Sequence, residues 1–341
     1  MLNKRSVSII VVNFNGFKWL KGCFDALIDQ SYRDLEIIFV DNASTDNSVD
    51  FIKTNYPSVK TVKNDENYGF AKGNNIGYKH SKGDYIILLN NDTYVEKDYV
   101  TNFINVFDKY PRCGIAQSKI VLMDNPKKLD CAGSFWTDTT FLYHYGFGKD
   151  ASDPKYNKDY KVFSVKGASM IIKREVIDTI GLFDDDFWCY YEETDLCHRA
   201  WLTGYEVWYY PEALCYHAMG ATSSKFKNEF VQYHNLKNKL SSFTKNFDFY
   251  ELFKIYFLFS IFNLFYGLLS LIKNRRLNYL KSLIEAFFWY ITNIRKIFVK
   301  KNILKKSVFL KKDKYLLDII KYNPKFTYYL YSLGDLSLYK D

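Results

Sequence analysis

The chain has 341 residues and 40.4 kDa, with 48% apolar and 25% charged residues, a globular composition that excludes a disordered or collagen-like polymer. Its net charge of +9 is uneven, because thirteen Lys and Arg between Lys273 and Lys314 stand against only Glu285 and Asp313, leaving the rest of the chain slightly acidic. That excludes a nucleic-acid groove through the main body and points to a basic tail that meets an anionic surface.

In chain order, residues 7–12 (VSIIVV), 35–40 (LEIIFV), 59–62 and 85–89 (YIILL) read as buried parallel strands. Helical patterns over 17–29, 45–55 and 70–82 separate them, the second introduced by the capping residues Ser44, Thr45 and Asp46. This alternation predicts a doubly wound, mainly parallel α/β sheet flanked by helices, with ligands bound beyond the carboxyl ends of its strands. Asn13, Asp41 and the run Asn90, Asn91, Asp92 fall there. The later pattern is mixed: a strand at 114–121, hairpins within 131–148, a strand over Phe163–Ile172, a helix from Glu192 to Gly204, and a strand from YEVWYY to His217.

The apolar run Val7–Val12 is too short for a signal-peptide core, so the main domain is expected to stay in the cytoplasm. Six cysteines show no C-x-x-C pair or zinc spacing and read as reduced structural thiols. Residues 255–272 are eighteen uncharged residues flanked by Lys254 and by Lys273, Arg275 and Arg276. As a helix they would extend about 27 Å, marginal against a hydrocarbon core of about 30 Å, so spanning and lying flat both stay open. Leu283–Val299 mixes Phe287, Phe288 and Trp289 with Arg295 and Lys296, as an interfacial helix does. The competing reading of the tail is a helical subdomain packed on the main domain.

Asp92 at a strand end would project into the ligand crevice, where oxygen donors suit Mg²⁺ or Mn²⁺; a turn or cap role competes. Glu192, Glu193 and Asp195 place three acids in four residues after the aromatic run Phe187, Trp188, Tyr190, Tyr191. A helix N-terminus there would favour their ionised forms, as a general base requires, although a solvated first turn explains them equally. Gly69, Gly73 and Gly77 match neither a dinucleotide fingerprint nor a phosphate loop, so NAD enzymes and P-loop NTPases are disfavoured. Their four-residue period predicts close packing of a helix on the sheet, with Asn74 facing the crevice.

IIVVNFNG, IIFVDNASTDNS, NYGFAKGNN, LLNNDT, VKGASMIIKREVIDTIGLFDDDFW, YYEETDLCHRAWLTG and CYHAMG, in this order over roughly residues 6–240, resemble the inverting glycosyltransferases of family 2. The similarity is greatest to rhamnosyltransferase-like members that build surface polysaccharides. It implies a glycosyltransferase A type fold over 1–240 and a membrane-associated helical region over 241–341. It also implies a UDP- or dTDP-linked sugar donor, a glycan or polyprenyl-linked acceptor, and a place on the cytoplasmic face of the membrane. By the same resemblance Asn13 and Asn15 lie against the nucleotide, and Asp41 accepts the base imide N–H. Asp92 and His217 hold the metal, Glu193 is the catalytic base with Glu192 as runner-up, and Trp188, Tyr191 and Asp195 shape the acceptor pocket. Asn90 and Asn91 stand where the family carries further acids, which implies weakened metal affinity. A nucleotidyltransferase, or a sugar-binding relative without catalysis, remain the alternatives.

Overall fold

The apolar runs send successive side chains to opposite faces, and in the computed structural model of the protein both faces are covered. The structure describes residues 5–218, 228–274, 277–307, 320–331 and 339. Strands β1 (Val7–Asn13), β2 (Leu35–Asp41), β3 (Lys60–Lys63) and β4 (Tyr85–Asn90) are parallel. They are linked by α1 (Phe17–Ile28), α2 (Ser48–Asn55) and α3 (Gly69–Lys79). Val7, Ile9 and Val11 enter the core shared with α1 and with α4 (Tyr99–Lys109), whereas Ile10 enters the core on the α3 side.

The second half of the sheet is mixed. After β5 (Thr93–Val95) come β6 (Cys113–Leu122), β7 (Leu129–Cys131) and a separate small hairpin of β8 (Ser134–Phe135) and β9 (Tyr143–His144). They are followed by β10 (Tyr160–Lys161), β11 (Ser169–Lys173) and β12 (Glu206–His217), with helices α5 (Arg174–Ile180) and α6 (Glu192–Leu202) between the last two strands. The main path is β10-β12-β6-β11-β4-β1-β2-β3, with β11 antiparallel to β4 and β6, and β12 parallel to β6. The fold is thus the doubly wound, mainly parallel sheet expected, with a C-terminal helical extension. Register aligns Asn13 with Asp41 and Val12 with Asn90, and β5 pairs antiparallel with β12 so that Thr93 faces His217. One edge therefore collects the polar ends.

Three local expectations change. Helix α2 begins at Ser48, because Ser44 is used elsewhere: its hydroxyl accepts the Asn15 N–H at 2.9 Å and Asn13 Nδ2 at 3.1 Å. The strand expected over Phe163–Ile172 is only Ser169–Lys173, since the chain turns at Gly167 and Ala168. The boundary expected at 240/241 falls inside α7 (Asn228–Asn246), whose Leu236, Leu240 and Phe243 share one core with Phe187 and Leu196.

The tail forms α8 (Phe249–Asn274), α9 (Asn278–Ser307) and the short α10 (Thr327–Tyr331). Among the described residues, one helix is long and apolar enough to cross a membrane, Phe249–Ile272, with mean hydropathy 2.0. One face of it, Leu252, Ile255 and Phe259, is buried in the main core, and Asn263, also buried, accepts the Tyr279 hydroxyl of α9 at 2.5 Å. The other face exposes Phe253, Phe257, Ile261, Leu264, Leu268 and Ile272, spaced by three or four residues. On α9, Ile284, Phe288, Ile291 and Ile303 are exposed too, while Lys296 pairs with Asp186 at 2.5 Å and Lys300 pairs with Asp184 and Asp186. Much of the basic cluster, including Arg275, Arg276, Lys311, Lys312 and Lys314, lies outside the described residues.

Helix α3 reaches the sheet through glycine. A Cβ on Gly77 would stand 2.4 Å from Ile10 Cγ2 and 3.1 Å from Val40 Cγ2, while one on Gly22, exposed on α1, would meet nothing within 4 Å. Gly77→Ala should therefore lower unfolding free energy by about 1–3 kcal/mol through overpacking. Gly22→Ala should raise it by about 0.5–1 kcal/mol by removing backbone entropy. Chemical denaturation of both variants checks the contrast, and two shifts of the same sign would refute it.

Candidate active site

The strand-end residues of β1, β2 and β4 are locked to one another by their own side chains. Asn13 Nδ2 donates to Asp41 Oδ1 at 3.0 Å, and Asn13 Oδ1 accepts Asn91 Nδ2 at 2.5 Å. Asp41 Oδ2 takes the Ser44 backbone N–H at 2.9 Å, and Asn15, at a positive φ of 51°, accepts the Thr45 N–H at 2.8 Å. Asn13 and Asp41 are fully buried, so they brace the loops behind the crevice and do not line it. In front of them opens a cavity of about 360 Å³, lined among others by Phe14, Asn42, Phe70, Asn91, Trp188 and Tyr190. Its size suits a small-molecule ligand.

At one wall of this cavity Asp92 Oδ1 is buried, has no hydrogen-bond partner among the described residues, and stands 3.4 Å from His217 Nε2. His217 Nδ1 is 2.7 Å from Asp130 Oδ2, and Asp130 Oδ1 is 2.5 Å from Lys166 Nζ. Burial alone would raise the Asp130 carboxyl, but Lys166 and His217 hold it down to about 2. Burial opposes charging of His217, yet its hydrogen bond to Asp130 and the nearby Asp92 carboxylate leave its pKa raised. A histidine oriented by a buried carboxylate beside an unsatisfied carboxylate oxygen is a donor pair that fits a divalent cation. No group of three or more His, Cys, Asp or Glu side chains is arranged to do so among the described residues.

Glu192 and Glu193 open α6 and line the same cavity. Tyr190 and Tyr191 just before them both have φ of 70°, a left-handed conformation that two consecutive non-glycine residues rarely adopt. Asn238 of α7 holds this turn by donating to the carbonyls of Cys189 at 2.9 Å and Tyr190 at 2.7 Å. Each glutamate has a buried Oε2 without a hydrogen-bond partner among the described residues. The expectation that the helix terminus keeps both ionised is corrected: burial pushes Glu193 up to about 7 and raises Glu192 well above the carboxylate range, its like-charged neighbour adding to the effect. The helix amides and Lys166 pull Glu193 back only in part.

The structure thus brings Asn90, Asn91, Asp92, Trp188, Glu192, Glu193 and His217 around one cavity. Six expected residues do not line it: Asn13, Asn15 and Asp41 belong to the strand-end lock described above, and three more lie elsewhere. Asn74 is buried within α3 and donates to the Phe70 carbonyl, because the small-residue face of that helix turns to the sheet. Tyr191 is buried against Phe243. Asp195 is consumed by Arg199 at 2.9 Å, Lys245 at 3.2 Å and Asn246 at 2.9 Å. Lys166, Asp130 and Asn238 join the site without being singled out by the sequence. Lys166 stands in VKGAS, beside the glycine at which the chain turns into the crevice; Asp130 and Asn238 carry no spacing that marks them.

A sequence model described as glycosyl transferase family 2 matches residues 8–181, which ends short of Glu192 and His217. An uncharacterized glycosyltransferase of Haemophilus influenzae is 29% identical over 141 residues, covering 38% of this chain and 56% of that protein. The low-salt glycan biosynthesis hexosyltransferase Agl10 of Haloferax volcanii is 21% identical over 250 residues, covering 71% of this chain and 78% of that protein. Against the curated relatives that it matches first, the chain spans about half of their length or less. Among solved structures, that of GalNAc-T7 with UDP, GalNAc and Mn²⁺ superposes with a TM-score of 0.62 at 17% identity, covering 98% of this chain and 59% of that one. That likeness carries the fold.

The burial of Glu193 beside Lys166 makes a titration measurable. Difference infrared spectra should show a protonated carboxyl band that disappears as pH rises through about 7, absent from Glu193→Gln. In Lys166→Met the same band should persist to higher pH, since a nearby cation that favours the carboxylate is gone. An unmoved midpoint would separate Lys166 from the acid pair.

Proposed function

The chain belongs to glycosyl transferase family 2, and on that premise we propose that it moves a sugar from a UDP- or dTDP-linked donor to a hydroxyl of a glycan or lipid-linked glycan, with inversion at the anomeric carbon. The observation that carries this reading is the presence, in the lining of one cavity, of an unsatisfied glutamate and of an unsatisfied aspartate beside a histidine. Ionised Glu193 takes the proton of the acceptor hydroxyl, whose oxygen forms the new bond to the anomeric carbon. The bond from that carbon to the diphosphate breaks, and its electron pair leaves with the nucleoside diphosphate. Asp92 and His217 would hold a divalent ion, Mg²⁺ or Mn²⁺, which when bound supplies positive charge to the leaving diphosphate. Asn91, tied to Asn13, fixes the loop that presents Asp92. Lys166 favours the carboxylate form of Glu193. The setting proposed is the synthesis of a surface polysaccharide or glycoprotein glycan, at the cytoplasmic face of the membrane.

Release of nucleoside diphosphate over a panel of donor sugars, with and without Mn²⁺ and acceptor, tests the reading. Glu193→Gln should lower transfer roughly 10²- to 10⁴-fold while donor still binds. Transfer by the unmutated enzyme should rise with pH through about 7, because only the ionised carboxylate accepts a proton. Wild-type rates in the glutamine variant would move the base to Glu192.

The exposed apolar faces of α8 and α9 support monotopic attachment, because α8 has its opposite face buried against the protein and cannot be surrounded by lipid. The full chain should float with anionic liposomes and stay bound at high salt, since burial of hydrocarbon is not screened. Phe253→Glu with Phe257→Glu should release it. Flotation unchanged by the double substitution would refute that face as the anchor.

A further inference from the structure

Behind the acid pair lies a second cavity of about 290 Å³, and its wall includes the same Lys166 and Glu193 that line the first. It is formed by the segment between β7 and β9 against the start of α6, and nothing in the chemistry described so far uses it. Its remaining polar surface comes from Asp130, Ser134, His144 and Thr194, with the ring of Phe147 on the apolar side. A ring of hydroxyls on one edge and C–H groups on its face matches such a lining. The volume is near the lower end of small-molecule sites, about 300–1,000 Å³, and suits a single sugar unit better than a nucleotide sugar.

We propose that this second cavity is the acceptor subsite and receives one hydroxylated sugar ring, with Glu193 at the partition where the acceptor hydroxyl meets the donor pocket. The inference rests on the transferase reading of the first cavity. A base for this reaction has to touch the acceptor on one side and face the donor on the other, and Glu193 is, with Lys166, the residue common to both linings. Its Oε2 is buried and has no hydrogen-bond partner among the described residues. The side chain of His144 is the reader of the ring. It is exposed at the cavity, its Nδ1 is 3.0 Å from Ser134 Oγ, and its Nε2 has no hydrogen-bond partner among the described residues. Partial desolvation at the cavity wall, with Lys166 and Lys239 nearby, lowers its pKa, so it is a neutral donor and acceptor at physiological pH. The Tyr328 hydroxyl accepts the backbone N–H of His144 at 3.1 Å, which fixes the strand that carries it.

The test uses the full chain, a panel of UDP- and dTDP-sugars, and octyl β-glucoside and octyl β-galactoside as acceptor probes. The ratio of transfer to acceptor-free donor hydrolysis should fall about tenfold in His144→Ala, the effect of one lost hydrogen bond, and further in His144→Trp, which fills the space. The preference between gluco and galacto probes should change in His144→Ala. An unchanged ratio and preference in both variants would overturn the proposal. So would an equal fall in hydrolysis and transfer, because the cavity would then serve the donor. If the unmutated chain turns over no donor, the transferase reading fails separately. Saturation-transfer NMR with the same octyl glycosides then decides the cavity: a saturation signal that disappears in His144→Trp supports it, and a signal equal in both proteins, or absent from both, overturns it. Should the tryptophan variant not fold, the alanine variant carries the transfer readings, and a saturation signal weaker in it than in the unmutated chain supports the proposal where an equal one overturns it.

Discussion

Two glutamates at the head of a helix inside a protein have to be held there, and the rest of the structure supplies that restraint. Glu192 and Glu193 each keep a buried oxygen without a partner among the described residues. The loop that delivers them is pinned from behind: Asp184 by Lys245 at 2.6 Å and by Lys300, Asp195 by Arg199 and Lys245, and the strained tyrosine pair by Asn238. Removing one partner from such a network would leave an uncompensated buried charge, a cost of about 3–5 kcal/mol, so the network enforces geometry. The acids can then be kept where water would otherwise draw them out, and burial sets their proton affinity.

The wall that carries Asp92 uses the same logic with less charge. Where further acids would repel one another, Asn90 and Asn91 are neutral, and Asn91 donates to Asn13. Asp92 is thereby left with a free oxygen facing His217. Asp130, two strands away in the sheet, orients that histidine and is itself neutralised by Lys166, which also faces Glu193. One lysine thus links the two walls electrostatically.

Much of this is legible in the order of residues alone. The first four strands lie within a residue or so of where the runs place them; β1, β2 and β4 do so because buried parallel strands are apolar on both faces and end at polar residues, whereas β3, expected to be buried, is a half-exposed edge strand. The glycine face of α3 is legible for the same reason, a period that admits close packing. What is not legible depends on partners distant in sequence. Asp195 looks like a site residue beside Glu193 until Lys245 and Asn246, fifty residues on, claim it. The ionisation of the acid pair escapes the sequence because helix position is local, whereas burial is created by α7 and by β11 and its preceding turn. The packing of α7 is not legible either, since its composition is polar, yet Lys237 and Asn238 are buried as partners of the loop before α6.

The ion pairs of α9 change what its basic residues can contribute outside the protein. Lys296 and Lys300 are neutralised by Asp184 and Asp186, and Lys301 is buried against the carbonyls of Thr244 and Phe247. These three of the thirteen basic residues between Lys273 and Lys314 are therefore committed internally. The effective valence that the tail presents to an anionic bilayer is smaller than its formal surplus. On the proposed attachment, the same pairs would make α9 a lever between lipid and the loop before α6: a force that lifts the helix off the protein acts first on the aspartates that precede Trp188 and the acid pair. Attachment and active-site geometry would then be one mechanical system.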